Sequence, residues 1–166
     1  MTFRPSTGGQ IVLLTMLASG ILLAISVLFL TLSYQFRGRG GVSYVFLGSA
    51  MFLLLLLFGS LNFRIRAYAI DSGNLLIKIG LTHKEYPLQT LQDARLVDQP
   101  FAGCRRIMGV GGLWSNCGLF SSPRWGEFYA YASNTAQGVL LTWPDAKVLV
   151  TPADPTSFIQ AVKSKR

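Results

Sequence analysis

Two uninterrupted apolar runs, residues 11–32 and 42–63, fill most of the first 63 positions, and beyond Arg64 the pattern breaks into short alternating stretches. Each run is 22 residues long. At 1.5 Å of rise per residue, such a run makes roughly 33 Å of helix, enough to cross a hydrocarbon core of about 30 Å. Neither run holds a charged side chain or a proline. A soluble helix would show a polar face at a 3.6-residue period, yet Phe52-Leu53-Leu54-Leu55-Leu56-Leu57-Phe58 is apolar all round. That stretch alone favours a bilayer by about 2 to 4 kcal/mol. A cleaved secretory signal has an apolar part of about 7 to 15 residues and a small-residue cleavage site. The first run is longer than that, and its end, Thr31-Leu32-Ser33-Tyr34-Gln35, has no Ala-x-Ala pattern. The pattern predicts two retained transmembrane helices, at about 11–32 and 42–63, so that residues 1–63 form an anchor and 64–166 a second unit.

Residues 1–10 read as a short polar lead, expected to be disordered. Gly20 and Ala24 have the four-residue spacing that lets helix backbones approach, and Gly48, Ser49 and Ala50 are expected to face them in an antiparallel hairpin. Residues 33–41 suffice only for a turn. Tyr34, Phe36 and Tyr44 fall where aromatic side chains anchor at headgroups. Arg37 and Arg39 lie on the turn side of the spans, Arg4, Arg64, Arg66 and Lys78 on the other. Four against two places both termini in the cytoplasm by the positive-inside rule.

After Arg64 the period drops to two. Strands are expected at 67–70 and 75–79 around the turn Asp71-Ser72-Gly73-Asn74, then at 84–88 after Gly80-Leu81-Thr82-His83, and at 94–98. Three more, at 127–132, 139–143 and 147–151, follow a long glycine-rich loop, the last two flanking the turn pair Pro144-Asp145. Short strands without alternating helices point to an antiparallel barrel or sandwich. A helix at about 155–165 closes the chain, with Asp154 as N-cap, Pro155 at the first helical position and Phe158 and Val162 on its apolar stripe. Lys163, Lys165 and Arg166 sit at its negative end.

Charge divides the chain the same way. Before residue 64 the only charged side chains are three arginines; the remaining 103 residues carry twelve lysines or arginines and all seven acids. That second unit is long enough for its own modest core.

Strands followed by one C-terminal helix resemble a pleckstrin-homology-like domain. The stretches Arg105-Arg106-Ile107-Met108-Gly109-Val110-Gly111-Gly112-Leu113-Trp114, Gly118-Leu119-Phe120, Gly126-Glu127-Phe128-Tyr129-Ala130-Tyr131-Ala132 and Thr151-Pro152-Ala153-Asp154-Pro155-Thr156-Ser157-Phe158 look like the bacterial PH-like family, whose members often follow membrane spans. The resemblance covers about residues 64–166 and extends to the two-span anchor. It implies a membrane-anchored antiparallel β barrel or sandwich with one C-terminal helix, in the inner or cell membrane of a bacterium. Eukaryotic PH domains that bind phosphoinositides carry several basic residues around the first hairpin. Here that turn is Asp71-Ser72-Gly73-Asn74 with only Lys78 nearby, so headgroup recognition is not carried over.

The candidate contact surface is residues 101–131, read as a loop bent by Gly109, Gly111, Gly112, Gly118 and Gly126. Trp114, Phe120 and Trp125 beside Arg105, Arg106 and Arg124 have the composition of an interface centre. The same groups suit anionic lipid, and the aromatics suit a barrel interior with the arginines solvated. A nucleic-acid platform needs aromatics exposed along a strongly positive groove, and the second unit is only modestly basic.

Cys104 and Cys117 are expected to be reduced in the cytoplasm, and to form a disulfide only if the domain faces outward. Lone His83 with two cysteines makes no zinc site, and a His83–Cys104 dyad is a chance pairing. His83-Lys84-Glu85 lacks the second histidine of a zinc protease helix, and Gly109-Val110-Gly111-Gly112 lacks the Lys-Ser/Thr of a phosphate loop. No cofactor, metal or catalytic residue is expected. The sequence points to a membrane-anchored interaction or assembly module with a protein partner or self-association beside the bilayer and no nucleic acid. Lipid sensing is the alternative and a membrane-bound enzyme the third.

Overall fold

The structure is a computed structural model and describes residues 1–111 and 113–165. Gly112 and Arg166, both invoked above, lie outside the described residues. The elements run β1 (Thr2–Phe3), α1 (Gly9–Gln35), α2 (Gly41–Ser60), a short 3-10 turn (Leu61–Phe63), β2 (Ile65–Asp71), β3 (Asn74–Ile79), β4 (Thr82–Pro87), β5 (Asp93–Asp98), β6 (Arg105–Val110), β7 (Asn116–Ser122), β8 (Gly126–Ala132), β9 (Gln137–Thr142), β10 (Lys147–Val150) and α3 (Pro155–Lys163).

Both long helices are apolar and long enough to cross a membrane. Their packing is inside out by the standard of a soluble protein. The buried positions of α1 are Ile11, Thr15, Ser26 and Ser33, and that of α2 is Ala50, while leucines, valines and phenylalanines face outward. Ser33 donates to the Ser43 carbonyl (3.0 Å) and Ser43 to the Ser33 carbonyl (2.9 Å), linking the two helices near the turn. Phe46 packs against Phe29 and Phe36 at 5.9 and 6.0 Å. Small and hydroxyl side chains at the seam with apolar ones outside are the arrangement favoured when the solvent is hydrocarbon. The expected seam through Gly20 and Ala24 is corrected. Both residues are exposed, and a Cβ on Gly20 or Gly48 would meet nothing within 4 Å. The seam follows Ser26 and Ser33 because their hydroxyls have partners in helical carbonyls, which a Gly-Ala stripe does not offer; only Ala50 of the expected set lies in it.

Beyond α2 the strands form two sheets, ordered β1-β2-β3-β4 and β5-β9-β10-β8-β7-β6. Every pairing is antiparallel except β8 with β10, and the sheets stack as an open sandwich that does not close into a barrel. The strands expected at 67–70, 75–79, 84–88, 94–98, 127–132, 139–143 and 147–151 fall on β2–β5 and β8–β10. Tyr68, Leu75, Ile77, Val139, Leu141, Val148 and Val150 fill the space between the sheets, closed by Phe158 and Val162 of α3. Alternate residues Leu140 and Leu149 point to the far side of the larger sheet, into a second cluster with Phe120, Phe128 and Ala130. The α3 N-cap is as read: Asp154 accepts from the Ser157 N–H (3.0 Å) and its hydroxyl (2.6 Å).

Two expectations are overturned. The long loop at 101–131 is mostly sheet, β6 to β8. Its glycines mark close cross-strand approach as much as bending: Gly109 pairs with Gly118 at φ of 124° and 144°, and a Cβ on Gly118 would sit 2.2 Å from the Met108 carbonyl oxygen. The lead is not disordered either. Thr2 and Phe3 extend the smaller sheet opposite Ala69 and Tyr68, Ile70 N–H donates to the Met1 carbonyl, Ala153 N–H to that of Arg4, and Ser6 N–H to that of Thr151. The lead thereby satisfies backbone groups that the edge of β2 would otherwise leave open. Phe3, the one large apolar side chain between Met1 and Ile11, stands edge-on to Phe158 at 5.2 Å.

Phe3→Ala is therefore expected to lower the unfolding free energy by about 2 kcal/mol, below the range for a fully buried ring. It should also speed amide exchange at Ile70 and Ala153. Denaturant titration in detergent micelles and exchange mass spectrometry check this.

Candidate functional site

The β6–β7 tip reaches the base of the helix pair. Trp114 donates its backbone N–H to Thr15 Oγ1 (2.9 Å) on α1 and its ring Nε1–H to Ser60 Oγ (3.0 Å) on α2. Ser115 donates to the Phe63 carbonyl. The Arg64 guanidinium lies over the indole, 5.8 Å from its centroid. Trp114 holds φ of 65°, left-handed backbone that a bulky residue adopts at a cost of about 1 to 3 kcal/mol. Its two hydrogen bonds into the helices offset that cost. This tryptophan joins the domain to the helices.

Phe120 and Trp125 belong to the second cluster. Phe120 stacks on Phe128 at 5.8 Å, Phe101 stands edge-on to Phe120 at 5.3 Å, and Trp125 is edge-on to Phe128 at 6.0 Å. Phe120 is buried and Trp125 half-buried, its Nε1 enclosed without a hydrogen-bond partner among the described residues. The Arg106 guanidinium lies over Phe120 at 5.6 Å and reaches toward the hairpin tip, where it packs on Gly111 beside Asn116.

The three arginines, by contrast, are exposed, and their backbones lie toward one end of the larger sheet. Arg105 pairs with Ser121, and Arg124 lies in the turn that follows β7. Since the opposite end of the β6–β7 hairpin sits on the helix base, Arg105 and Arg124 lie away from it, whereas the Arg106 guanidinium reaches back toward the tip. Of the six residues expected to form one surface, the structure leaves Arg105 and Arg124 at one end of the sheet, turns the Arg106 head toward the hairpin tip, and places Trp114, Phe120 and Trp125 in packing contacts.

Reading residues 101–131 as a loop concealed that β6 is the outermost strand of its sheet. Ile107 is 51% and Met108 70% exposed along it. Arg105-Arg106-Ile107-Met108-Gly109-Val110 carries the cue: charges at the start of a short apolar strand are a common guard on an open edge.

Between the sheets lies a buried set of hydroxyls. Tyr68 donates to the Tyr131 carbonyl (2.7 Å) and accepts from the Thr151 N–H (3.2 Å), and the hydroxyls of Tyr86 and Tyr131 are 3.3 Å apart. Burial pushes all three phenols above their ordinary value, and for Tyr86 the bond to Tyr131 adds to it. These groups tie strands together and stay neutral.

Cys117 faces the core opposite Val110, while Cys104 lies just before Arg105, at the other end of the same hairpin. Four to five residues of strand separate them, on the order of 15 Å, far beyond disulfide reach. A bridge within one chain is excluded by this geometry whichever way the domain faces. Burial raises the Cys117 thiol above its ordinary range, with Ser115 opposing. His83, on β4, contacts Glu85 at 3.2 Å, and the Cys104 thiol donates to the Pro100 carbonyl, so the two make no dyad. Among the described residues no three His, Cys, Asp or Glu side chains group as metal ligands.

A family model described as "Bacterial PH domain" matches residues 66–166. No curated protein and no solved structure matches the chain.

Under native conditions a thiol reagent should modify one cysteine per chain, Cys104; C104S should abolish that labelling and C117S leave it unchanged, read by intact mass. Because the buried phenols have folded-state pKa values above the unfolded value of 10.0, the stability they confer is complete below about pH 10 and is lost as pH rises beyond it. Melting temperature should thus be insensitive to these groups up to pH 10 and fall above it. In a spectrophotometric titration Tyr68 and Tyr86 should ionise only as the domain unfolds.

Proposed function

The chain belongs to the bacterial PH domain family, and from that premise we propose that it is a membrane-anchored interaction module that holds a neighbouring polypeptide against the bilayer without catalysis of its own. In this reading α1 and α2 cross the inner or cell membrane of a bacterium, and Arg4, Arg64, Arg66 and Lys78 keep both termini in the cytoplasm. The anchor confines the domain to two dimensions and raises the effective concentration of a weakly held neighbour.

One observation carries the proposal: the open β6 edge, with exposed Ile107 and Met108 and with Arg105, Arg106 and Arg124 at one end. An unpaired strand offers main-chain donors and acceptors to an extended segment. The three positive charges favour an acidic one, so the occupant is an extended acidic segment of a partner protein or of a second copy. Docking of the same arginines on anionic headgroups is the rival reading, and the register argues against it for Arg105 and Arg124, which lie at the end of the hairpin away from the helix base.

A photo-crosslinker at Ile107 of the full chain in membranes should yield a discrete adduct, while one at Leu96, on the far edge, should not. The captured segment, synthesised as a peptide, should bind the detergent-solubilised chain, and R105A/R106A/R124A should weaken that binding by about tenfold or more while leaving membrane fractionation unchanged. No discrete adduct, or unchanged affinity in the triple variant, overturns the assignment.

A further inference from the structure

A second surface lies at the opposite end of the domain, where the chain leaves α2. Gly80, in the β3–β4 turn, packs so closely on Asn62 that a Cβ there would be 2.2 Å from the Asn62 carbonyl oxygen, and its N–H donates to the Arg64 carbonyl at 2.9 Å. The turn is thus held beside the segment Leu61–Phe63 that ends the helix pair. Its tip residue, Leu81, is 82% exposed, more than any other large apolar side chain among the described residues. Leu61 and Phe63 beside it are 41% and 40% exposed.

Next to this apolar tip is a shallow cleft of about 410 Å³ on the outer face of the smaller sheet, lined by Arg66, Lys78, Thr82, His83 and Glu85 among others. Glu85 is the acid there, and it is engaged with His83 at 3.2 Å. Arg66 and Lys78 have no carboxylate within 4 Å among the described residues. Two unpaired cations therefore converge beside an exposed leucine, at the depth where the helix pair ends, while the Thr82 hydroxyl donates to the Ile79 carbonyl at 3.2 Å. Water is a poor environment for that leucine, and a phosphodiester is the natural counter-ion for that pair of cations.

We infer that this cleft binds the phosphate of an anionic phospholipid in the leaflet surrounding the helix pair, with Leu81 inserted among the first methylenes of the acyl chains and Arg66 and Lys78 on the headgroup. The inference rests on the bilayer-spanning part of the proposed function and is independent of the β6 edge. It differs in place from the hairpin at Asp71-Ser72-Gly73-Asn74, which lies at the far end of β2 and β3. Docking here gives the domain a third attachment besides its chain connections and the Trp114 contacts, and fixes the direction in which β6 faces.

The test uses the full chain, carrying C104S, with an environment-sensitive fluorophore on L81C, in nanodiscs of phosphatidylcholine alone or with increasing phosphatidylglycerol. Emission should shift to the blue as phosphatidylglycerol is added and return in high salt, whereas inorganic phosphate should neither produce nor compete for the shift. At about 1 kcal/mol for each basic residue near the surface, R66A/K78A should weaken the apparent affinity for phosphatidylglycerol about 30-fold. A fluorophore at L55C should report hydrocarbon in every disc. If L55C is apolar but L81C is indifferent to phosphatidylglycerol, or R66A/K78A responds as the parent does, the lipid site is wrong and the anchor stands. Competition by free phosphate would assign the cleft to a soluble anion and overturn the lipid. A water-exposed L55C removes the anchor and the site together.

Discussion

Ser33 and Ser43 exchange hydrogen bonds across the interior of the helix pair while Leu13, Leu17, Val45, Phe52, Leu55 and Phe58 face outward. In water this arrangement would be reversed, since each exposed leucine or phenylalanine forgoes about 1.5 to 3 kcal/mol of burial. In hydrocarbon the hydroxyls must find partners within the pair, and the outward side chains are already in their preferred solvent. The demand for an apolar surrounding solvent is what the rest of the molecule is arranged around, because the domain is joined to these helices at several points. Its lead strand, the β3–β4 turn and Trp114 all attach near the helix base.

Those attachments divide the sandwich into a near end and a far end. The near end carries the tips at Gly80-Leu81 and Leu113-Trp114 and the Ser133-Asn134 turn that meets Ser6 and Gly8. The far end carries Asp71 to Asn74, Arg124 and the Trp143 corner, whose indole donates to the Pro87 carbonyl at 2.6 Å. The charges are mixed at the far end, which holds Arg105 and Arg124 as well as Asp71. Arg64, Arg66 and Lys78 lie toward the near end, while the acidic first hairpin lies at the far one. The acidic turn that argued against headgroup recognition in the sequence is therefore at the wrong end to decide the matter, which turns on the opposite hairpin.

How far the chain could be read in advance follows from the range of the interactions involved. The two helices, most strands and the capped α3 are local: an unbroken apolar run, a period-two alternation and Asp154 before Pro155 each announce themselves within a few residues. The pairing of Thr2-Phe3 with β2 is not local. It depends on an edge some 65 residues away, which nothing near Phe3 encodes except its own apolarity. The same holds for β6 and β7. Their glycines carried the signal of a loop, yet Gly109 and Gly118 are glycine because two strands come together there, a constraint visible only once the partner strand is known.

The aromatic residues show the same limit from the functional side. Tryptophan beside arginine has one composition whether it faces a partner, a core or a bilayer, and all three environments favour it. Trp114, Trp125 and Trp143 resolve into a strut to the helices, a cover on the outer cluster and a corner of the core. Once these aromatics are committed to packing, what remains for recognition is backbone and charge: the unpaired edge of β6 at one place, unpaired cations beside Leu81 at another. An edge strand binds with modest specificity from its main chain alone. In the proposed reading, discrimination at β6 comes from Arg105, Arg106 and Arg124 and from the pose that the helix junction gives the domain. A rigid junction, with a bulky residue held at φ of 65°, is what such a pose requires.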